Sequence, residues 1–307
     1  MVPAMDVVIS GGSGLIGSAL TRSLEADGHR VARLARPQSK ANSGSSIAWD
    51  PQAGTIDASA LEGTDVVVNL AGAGIGDKKW TPARKQEVLD SRLRATGLLA
   101  RTVAGLADPP TVFVSGSAVG YYGNRGDERL TEESAPGDDF LAEVCIQWED
   151  AARPAAEAGL RVVWIRTGLV LDAHDGVLHR LLLPFKLGLG GRAGSGQQYR
   201  SWISLADEVS AIRRIIDDAS LGGPIDVTAP NPVTDAEFAA TLARVLHRPA
   251  VLPTPMLPLK VVYGGELVQH LLLDGQRVFP EKLLASGFTF AHPELETALR
   301  AVLGKMG

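Results

Sequence analysis

The stretch VSGSAVGYYG (114–123) sets Ser117 just upstream of two adjacent tyrosines, Tyr121 and Tyr122, at the end of a β-branched run that reads as a buried strand. Hydroxyls grouped in this way can hold a carbonyl or alcohol oxygen and pass a proton to it, if one phenol comes within hydrogen-bond reach of the reacting atom. A phenol without a cation beside it titrates near ~10, which makes it a poor base at neutrality but a usable acid or donor. Three roles stay open for the tyrosines: proton donor, substrate positioner, or packed structural ring.

A second group is SGGSGLIGSAL (10–20), where Gly11, Gly14 and Gly17 recur at three-residue spacing after a strand pattern and at the start of an apolar helix. Glycines there permit a tight turn and close backbone approach, so that a pyrophosphate can sit on the first helical amides. Ser10, Gly11, Gly14, Leu15, Ile16 and Gly17 are therefore candidate cofactor contacts, against the plainer reading of a mere strand-to-helix turn. An NAD site usually carries an acid about 20 residues beyond the glycines, for the ribose 2′-hydroxyl. From Gly28 to Trp49 there is no Asp or Glu, only Arg30, Arg33, Arg36 and Lys40. A guanidinium at that strand end suits a 2′-phosphate, and Arg36, directly before Pro37, is best placed; Arg30 reads as a surface arginine. The expected cofactor is NADP(H).

Positioning these groups falls to an alternation of β-rich runs and amphipathic helical patterns over about the first 170 residues. The strands are read at 5–10, 29–35, 64–71, 110–116 and 160–166, and a long helix at 82–106. Such alternation predicts an α/β fold, a doubly wound parallel Rossmann sheet. From 171 onward a Leu-rich segment, a Gly-rich loop and further Leu- and Pro-rich helices predict a second, smaller lobe. The expected division is 1–170 with about 205–229 in the nucleotide domain, and 171–204 with 230–307 in the interleaved lobe.

Composition removes several function classes. With 35 acidic against 30 basic residues the chain lacks the basic field of a nucleic-acid binder, so a small-molecule substrate is expected instead. No apolar run approaches the ~18 residues of a membrane span, and MVPAMDVVIS enters a strand pattern directly, so a cytoplasmic protein without membrane association is expected. The six histidines lack metal-ligand spacing, and no metal is expected. The single Cys145 lies on an apolar helix face without a basic neighbour and should be an inert thiol.

The glycine turn, NLAGAGI (69–75) and SAVGYYG (117–123) together resemble an extended short-chain dehydrogenase/reductase of the NAD-dependent epimerase/dehydratase superfamily. More narrowly, the chain is similar to the atypical "epimerase family" members over nearly its whole length. The similarity runs through KKWTPARKQEVLDSRLRAT (78–96), FLAEVCIQWE (140–149), WIRTGLVL (164–171), GSGQQYRSWISLAD (194–207), APNPVTDAEFA (229–239) and a C-terminal module ending FPEKLLASGFTFAHPELETAL (279–299). The resemblance implies cofactor contacts from Leu70, Ala71, Gly72 and Arg166, a substrate-holding hydroxyl at Ser117, and a substitute donor at Tyr122 or Tyr121.

Relatives pair a tyrosine with a lysine four residues later on a helix, and that pair is missing here. Four residues beyond Tyr121, Tyr122, Tyr199 and Tyr263 stand Arg125, Gly126, Ile203 and Leu267, and the expected helix offers Phe140 or Leu141 with Val144 or Cys145. Arg92 could face the cleft or form an exposed salt bridge; Glu132 could be an acid or a cap. Gln197, Arg200 and Trp202 are candidate substrate contacts, Ser204 replaces a frequent histidine, and Asp207 is expected to cap the following helix. The expected function is NADP(H)-dependent oxidoreductase or epimerase-like chemistry on a small polar, sugar-nucleotide-like substrate, with a homodimer as one assembly. The alternatives are an NADP(H)-binding regulator or sensor, and a structural module with an empty glycine turn.

Overall fold

The computed structural model describes residues 3–36, 45–250 and 252–305; Lys40 lies outside them. Eight strands form the central sheet: β1 Asp6–Ser10, β2 Arg30–Ala35, β3 Ser46–Asp50, β4 Thr55–Ile56, β5 Val66–Asn69, β6 Val112–Ala118, β7 Arg161–Thr167 and β8 Gly223–Val227. Their spatial order is β8-β7-β6-β5-β1-β2-β3-β4, and every pairing is parallel except β3 with β4 at the edge. The central strands read as Val and Ile runs because both faces are covered.

Helices α1 (Leu15–Ala26) and α6 (Leu205–Asp217) bury Leu20, Leu24, Ile212, Ile215 and Ile216 on one face. Helices α2 (Pro82–Ala104) and α4 (Arg153–Glu157) bury Ala95, Leu98, Leu99, Val103 and Ala155 on the other. The sheet is doubly wound. The start of α2 is set by Thr81, whose hydroxyl accepts from the Arg84 amide, with Pro82 at the first helical position. Helix α3 (Phe140–Asp150) starts at Asp139, whose carboxylate accepts from the Ala142 amide.

A separate core collects Leu178, Leu182, Phe185, Phe238, Leu242, Leu295 and Leu299 from α5 (Gly176–Lys186), α7 (Asp235–Leu246) and the final helix Leu295–Val302, with Leu171 and Trp202 from a short pair of parallel strands. Between contributions to that core the chain returns to the sheet as α6 and β8. Strand order reverses between β1 and β5, so a crevice opens at their carboxyl ends. The glycine turn and the loop after β5 lie there.

Candidate cofactor and substrate site

The glycine turn has the local geometry that its spacing predicts. Gly11 has φ +69°, and a side chain on it would press within 2.6 Å of the Leu70 carbonyl oxygen. A Cβ on Gly17 would lie 2.3 Å from the Gly11 carbonyl oxygen. The Gly14 amide closes the turn on Gly11 at 2.9 Å, and α1 starts at Leu15 and Ile16 without a side-chain cap or an acidic residue in its first turn. Amides left open in this way favour an anion. Ser10 does not point into the crevice: it is fully buried, donates to Asn69 Oδ1 at 2.6 Å and accepts from the Leu70 amide, so it fixes the Leu70–Ala71–Gly72 loop.

Two buried arginines hold the next part of that loop. Arg92 donates to the carbonyls of Ala73 and Val88 at 3.0 and 2.9 Å and lies 4.8 Å over the Trp148 ring, while Arg84 donates to the Gly74 carbonyl. The exposed salt bridge considered for Arg92 is excluded by this enclosure. Burial lowers its pKa to about 10. Gly72 is small for a reason: a Cβ there would meet the Arg92 guanidinium at 3.2 Å. At the end of β2, Arg36 is exposed, and the stem of Arg33 runs along Gly12, where a Cβ would be 3.1 Å from Arg33 Cγ. The glycine turn and the arginine-rich strand end therefore adjoin at Arg33.

Register gathers the hydroxyl cluster differently from the sequence expectation. Ser117 on β6, Arg166 on β7 and Asp226 on β8 are direct neighbours across three strands. Arg166 forks onto Glu149 of α3 at 2.9 and 3.0 Å, donates to the Tyr122 hydroxyl at 3.1 Å and to the Glu132 carbonyl at 3.3 Å, and stacks 3.5 Å over the Tyr121 ring. Burial opposes its charge, but the Glu149 fork outweighs this and its pKa is raised. Ser117 donates to the same Glu149 at 2.6 Å. With each guanidinium nitrogen bonded inside the protein and only 3% exposure, Arg166 is an internal tie and not the cofactor contact expected of it.

Tyr122 also departs from expectation. Its ring is fully buried and its hydroxyl sits 2.8 and 2.9 Å from the two Asp226 oxygens. Burial and then the Asp226 charge push its pKa up, and burial with the neighbouring Glu132 charge pushes up that of Asp226. A phenol enclosed and saturated in this way is not turned to a substrate. Tyr121 remains half-buried, with Arg166 over its ring.

Cys145, one of the two positions offered for the lysine, is buried, and burial pushes its thiol up to about 12. Beside Phe140, one of the two positions offered for the tyrosine, Trp80, Lys85, Gln86, Leu89 and Glu266 line a cavity of about 350 Å³.

Several second-lobe expectations are corrected. Arg200 pairs with Asp235 at 2.9 Å and holds the carbonyls of Leu271 and Leu272; Trp202 is core; only Gln197 is exposed. Ser204, not Asp207, is the N-cap of α6, because Asp207 turns its carboxylate to the Ala291 and His292 amides at 2.7 and 2.9 Å. Glu132 is buried and accepts from the Asp226 and Lys282 amides. Glu149 and Asp226 escaped the sequence reading. The available signals were a carboxylate one turn beyond Cys145 on the buried face of α3, and the one charge within GPIDV.

Glu208 on α6 is fully buried and accepts from Thr167 at 2.9 Å, with its other oxygen unpartnered. Burial raises its carboxyl from the ordinary 4.5 to about 8. Across that window the folded chain keeps a proton that the unfolded chain has released, so stability is full below pH 4.5 and declines as pH rises through 8. Glu208→Gln should therefore stabilise the protein by roughly 2 kcal/mol at pH 8.5 and by nothing at pH 4.5. Urea midpoints at both pH values check this; parallel shifts would refute it.

A family model described as the NAD dependent epimerase/dehydratase family matches residues 7–227, the span that carries the glycine turn and all eight strands. The chain belongs to the NAD-dependent epimerase/dehydratase family. A second model, a domain of unknown function (DUF1731), matches residues 254–302. Among curated relatives of this epimerase-family chain, the epimerase family protein Mb2239 of Mycobacterium bovis is 44% identical over 95% of this chain and 96% of its own. The human epimerase family protein SDR39U1 was solved with NADPH; it is 36% identical, with TM-score 0.88 over 98% of this chain and all of its own. A nucleoside-diphosphate sugar epimerase from Corynebacterium glutamicum is 37% identical, with TM-score 0.80 over 98% of this chain and 59% of its own.

Proposed function

We propose that this epimerase-family chain binds NADP(H) in the crevice and carries out oxidoreductase or epimerase-like chemistry on a small polar substrate. The observation that carries the reading is the uncapped, acid-free start of α1 beside a strand end bearing Arg33 and Arg36 and no carboxylate. The residues fit the cofactor: the amides around Gly14, Leu15 and Ile16 would hold the pyrophosphate, and the arginines the 2′-phosphate. The NADPH in the crystallised human relative supports the same reading. When bound, the nicotinamide supplies or accepts a hydride. The chain's part is to orient the substrate, exclude water and supply a proton. NADPH should bind at least ~10-fold more tightly than NADH, one charge-assisted contact being worth ~1.5 kcal/mol or more. Calorimetry on the wild type, Arg33→Ala and Arg36→Ala checks this, and equal affinities for the two nucleotides refute it.

For proton transfer the reading favours Tyr121, the phenol of the pair that keeps exposure, with the cavity beside Phe140 as substrate space. Following NADPH absorbance against a panel of nucleotide sugars and simpler ketones, Tyr121→Phe should lower turnover ~10²-fold while keeping NADPH affinity. Tyr122→Phe should instead cost about 1–3 kcal/mol of stability, because it leaves Asp226 short of a buried partner. The reverse pattern would reject this assignment. The second reading, an NADP(H)-binding sensor without catalysis, draws support from the two positions offered for the lysine, Val144 and Cys145, neither of which supplies a cation. NADPH binding without consumption of any panel compound would favour it.

A further inference from the structure

We propose that Asp139, His270 and Asp274 form a site for one divalent transition-metal ion at the junction of α3 with the C-terminal module. Spacing in the sequence conceals the group, because Asp139 lies far from the other two. In the folded chain one ligand atom from each lies within 4.8 Å of the others. His270 Nδ1 is 2.8 Å from Asp274 Oδ2 and 3.7 Å from Asp139 Oδ2. Nitrogen and oxygen ligands placed ~2.0–2.2 Å from a tetrahedral zinc stand roughly 3.3–3.6 Å apart, between those two distances.

The three side chains are held as ligands usually are. Asp139 spends Oδ1 on the Ala142 amide and Asp274 spends Oδ1 on Gln269 Nε2, which leaves the second oxygen of each facing the imidazole. A π-helical turn over Gln269–Leu273 brings His270 and Asp274 together, and the Asp274 amide closes it on the Gln269 carbonyl at 2.8 Å. The ring lies over Trp80 at 5.8 Å, and Trp80 packs edge-on to Phe140.

A plain imidazolium ion pair accounts for less. Nδ1 is shielded from solvent and has no hydrogen-bond partner, although Asp274 Oδ2 lies 2.8 Å away. A buried nitrogen without a partner is costly, and a metal ion on Nδ1 would satisfy it together with both oxygens. Among the described residues, the imidazole is the one basic group ion-paired with either carboxylate. Asp274 is 93% enclosed, whereas the Asp139 and His270 side chains each keep 18% exposure, so an ion has a way in and water can complete the coordination.

The site is independent of cofactor binding, and its test uses the metal alone. Protein stripped with EDTA and titrated calorimetrically with ZnCl₂ or MnCl₂ should take up one ion per chain with a Kd of ~10 µM or tighter. Asp139→Asn, which keeps a good helix cap, His270→Gln and Asp274→Asn should each weaken binding at least ~10-fold while NADPH affinity stays unchanged. Cobalt(II) should give the visible absorption of a low-symmetry nitrogen and oxygen site on the wild type alone. The proposal is overturned by an absence of saturable binding at ~100 µM metal, or by binding that survives both His270→Gln and Asp274→Asn.

Discussion

Replacing Arg166 with alanine should destabilise the protein by about 3–5 kcal/mol, more than any other single change in the strand-end cluster, because removing one partner strands a buried charge. The guanidinium serves Glu149 through two bonds, Tyr122 through a third and the Glu132 carbonyl through a fourth. Its loss leaves Glu149 at 12% exposure without a cation and places Asp226 beside Glu132 with nothing to offset their charges. Arg166→Lys should recover little, since an ammonium cannot make the planar fork. The measurement is the urea midpoint of each variant with NADPH affinity beside it. A loss under ~1 kcal/mol would mean that water or rearranged side chains replace the guanidinium, and the cluster would not be a closed unit.

Gly17→Ala should lower NADPH affinity ~100-fold or more, about 2.7 kcal/mol. The obstacle is backbone: the added methyl would lie 2.3 Å from the Gly11 carbonyl oxygen and 2.9 Å from its carbon, and neither can swing aside. Relief requires the turn to open, which pulls the Gly14 amide off Gly11 and splays the amides that would hold the phosphates. Gly222→Ala is the control, since a Cβ there meets nothing within 4 Å, and it should leave affinity unchanged. Retention of affinity by Gly17→Ala would place the pyrophosphate elsewhere.

The cofactor half of the site was legible because its signals are local. Three glycines at fixed spacing, a strand before them and a helix after them describe one continuous piece of chain, and the structure forms that turn where the sequence puts it. All five strands read from apolar runs are in the sheet, whereas Ser46–Asp50, Thr55–Ile56 and Gly223–Val227 were overlooked. The first is exposed on alternate residues and the second is two residues long, and both lie at the sheet edge; the third carries a proline and the buried Asp226. The polar cluster failed for a different reason. Whether a tyrosine faces substrate or core depends on what β7 and β8 set opposite it, and Asp226 stands 104 residues from Tyr122. Local pattern carries no trace of that pairing.

The return of the chain to the sheet after α5 has a consequence for biosynthesis. When β7 leaves the ribosome, Arg166 and Tyr122 are present but Asp226 is not, and the outer edge of β7 has no partner until α5, α6 and β8 have followed. A nascent chain that stops short of β8 therefore presents an open parallel edge and a Tyr122 hydroxyl without its carboxylate partner, and it invites chaperone binding or pairing with another chain. The sheet is thus coupled in time as well as in space to the separate core: its last layer cannot close before α5 and α6 have been made.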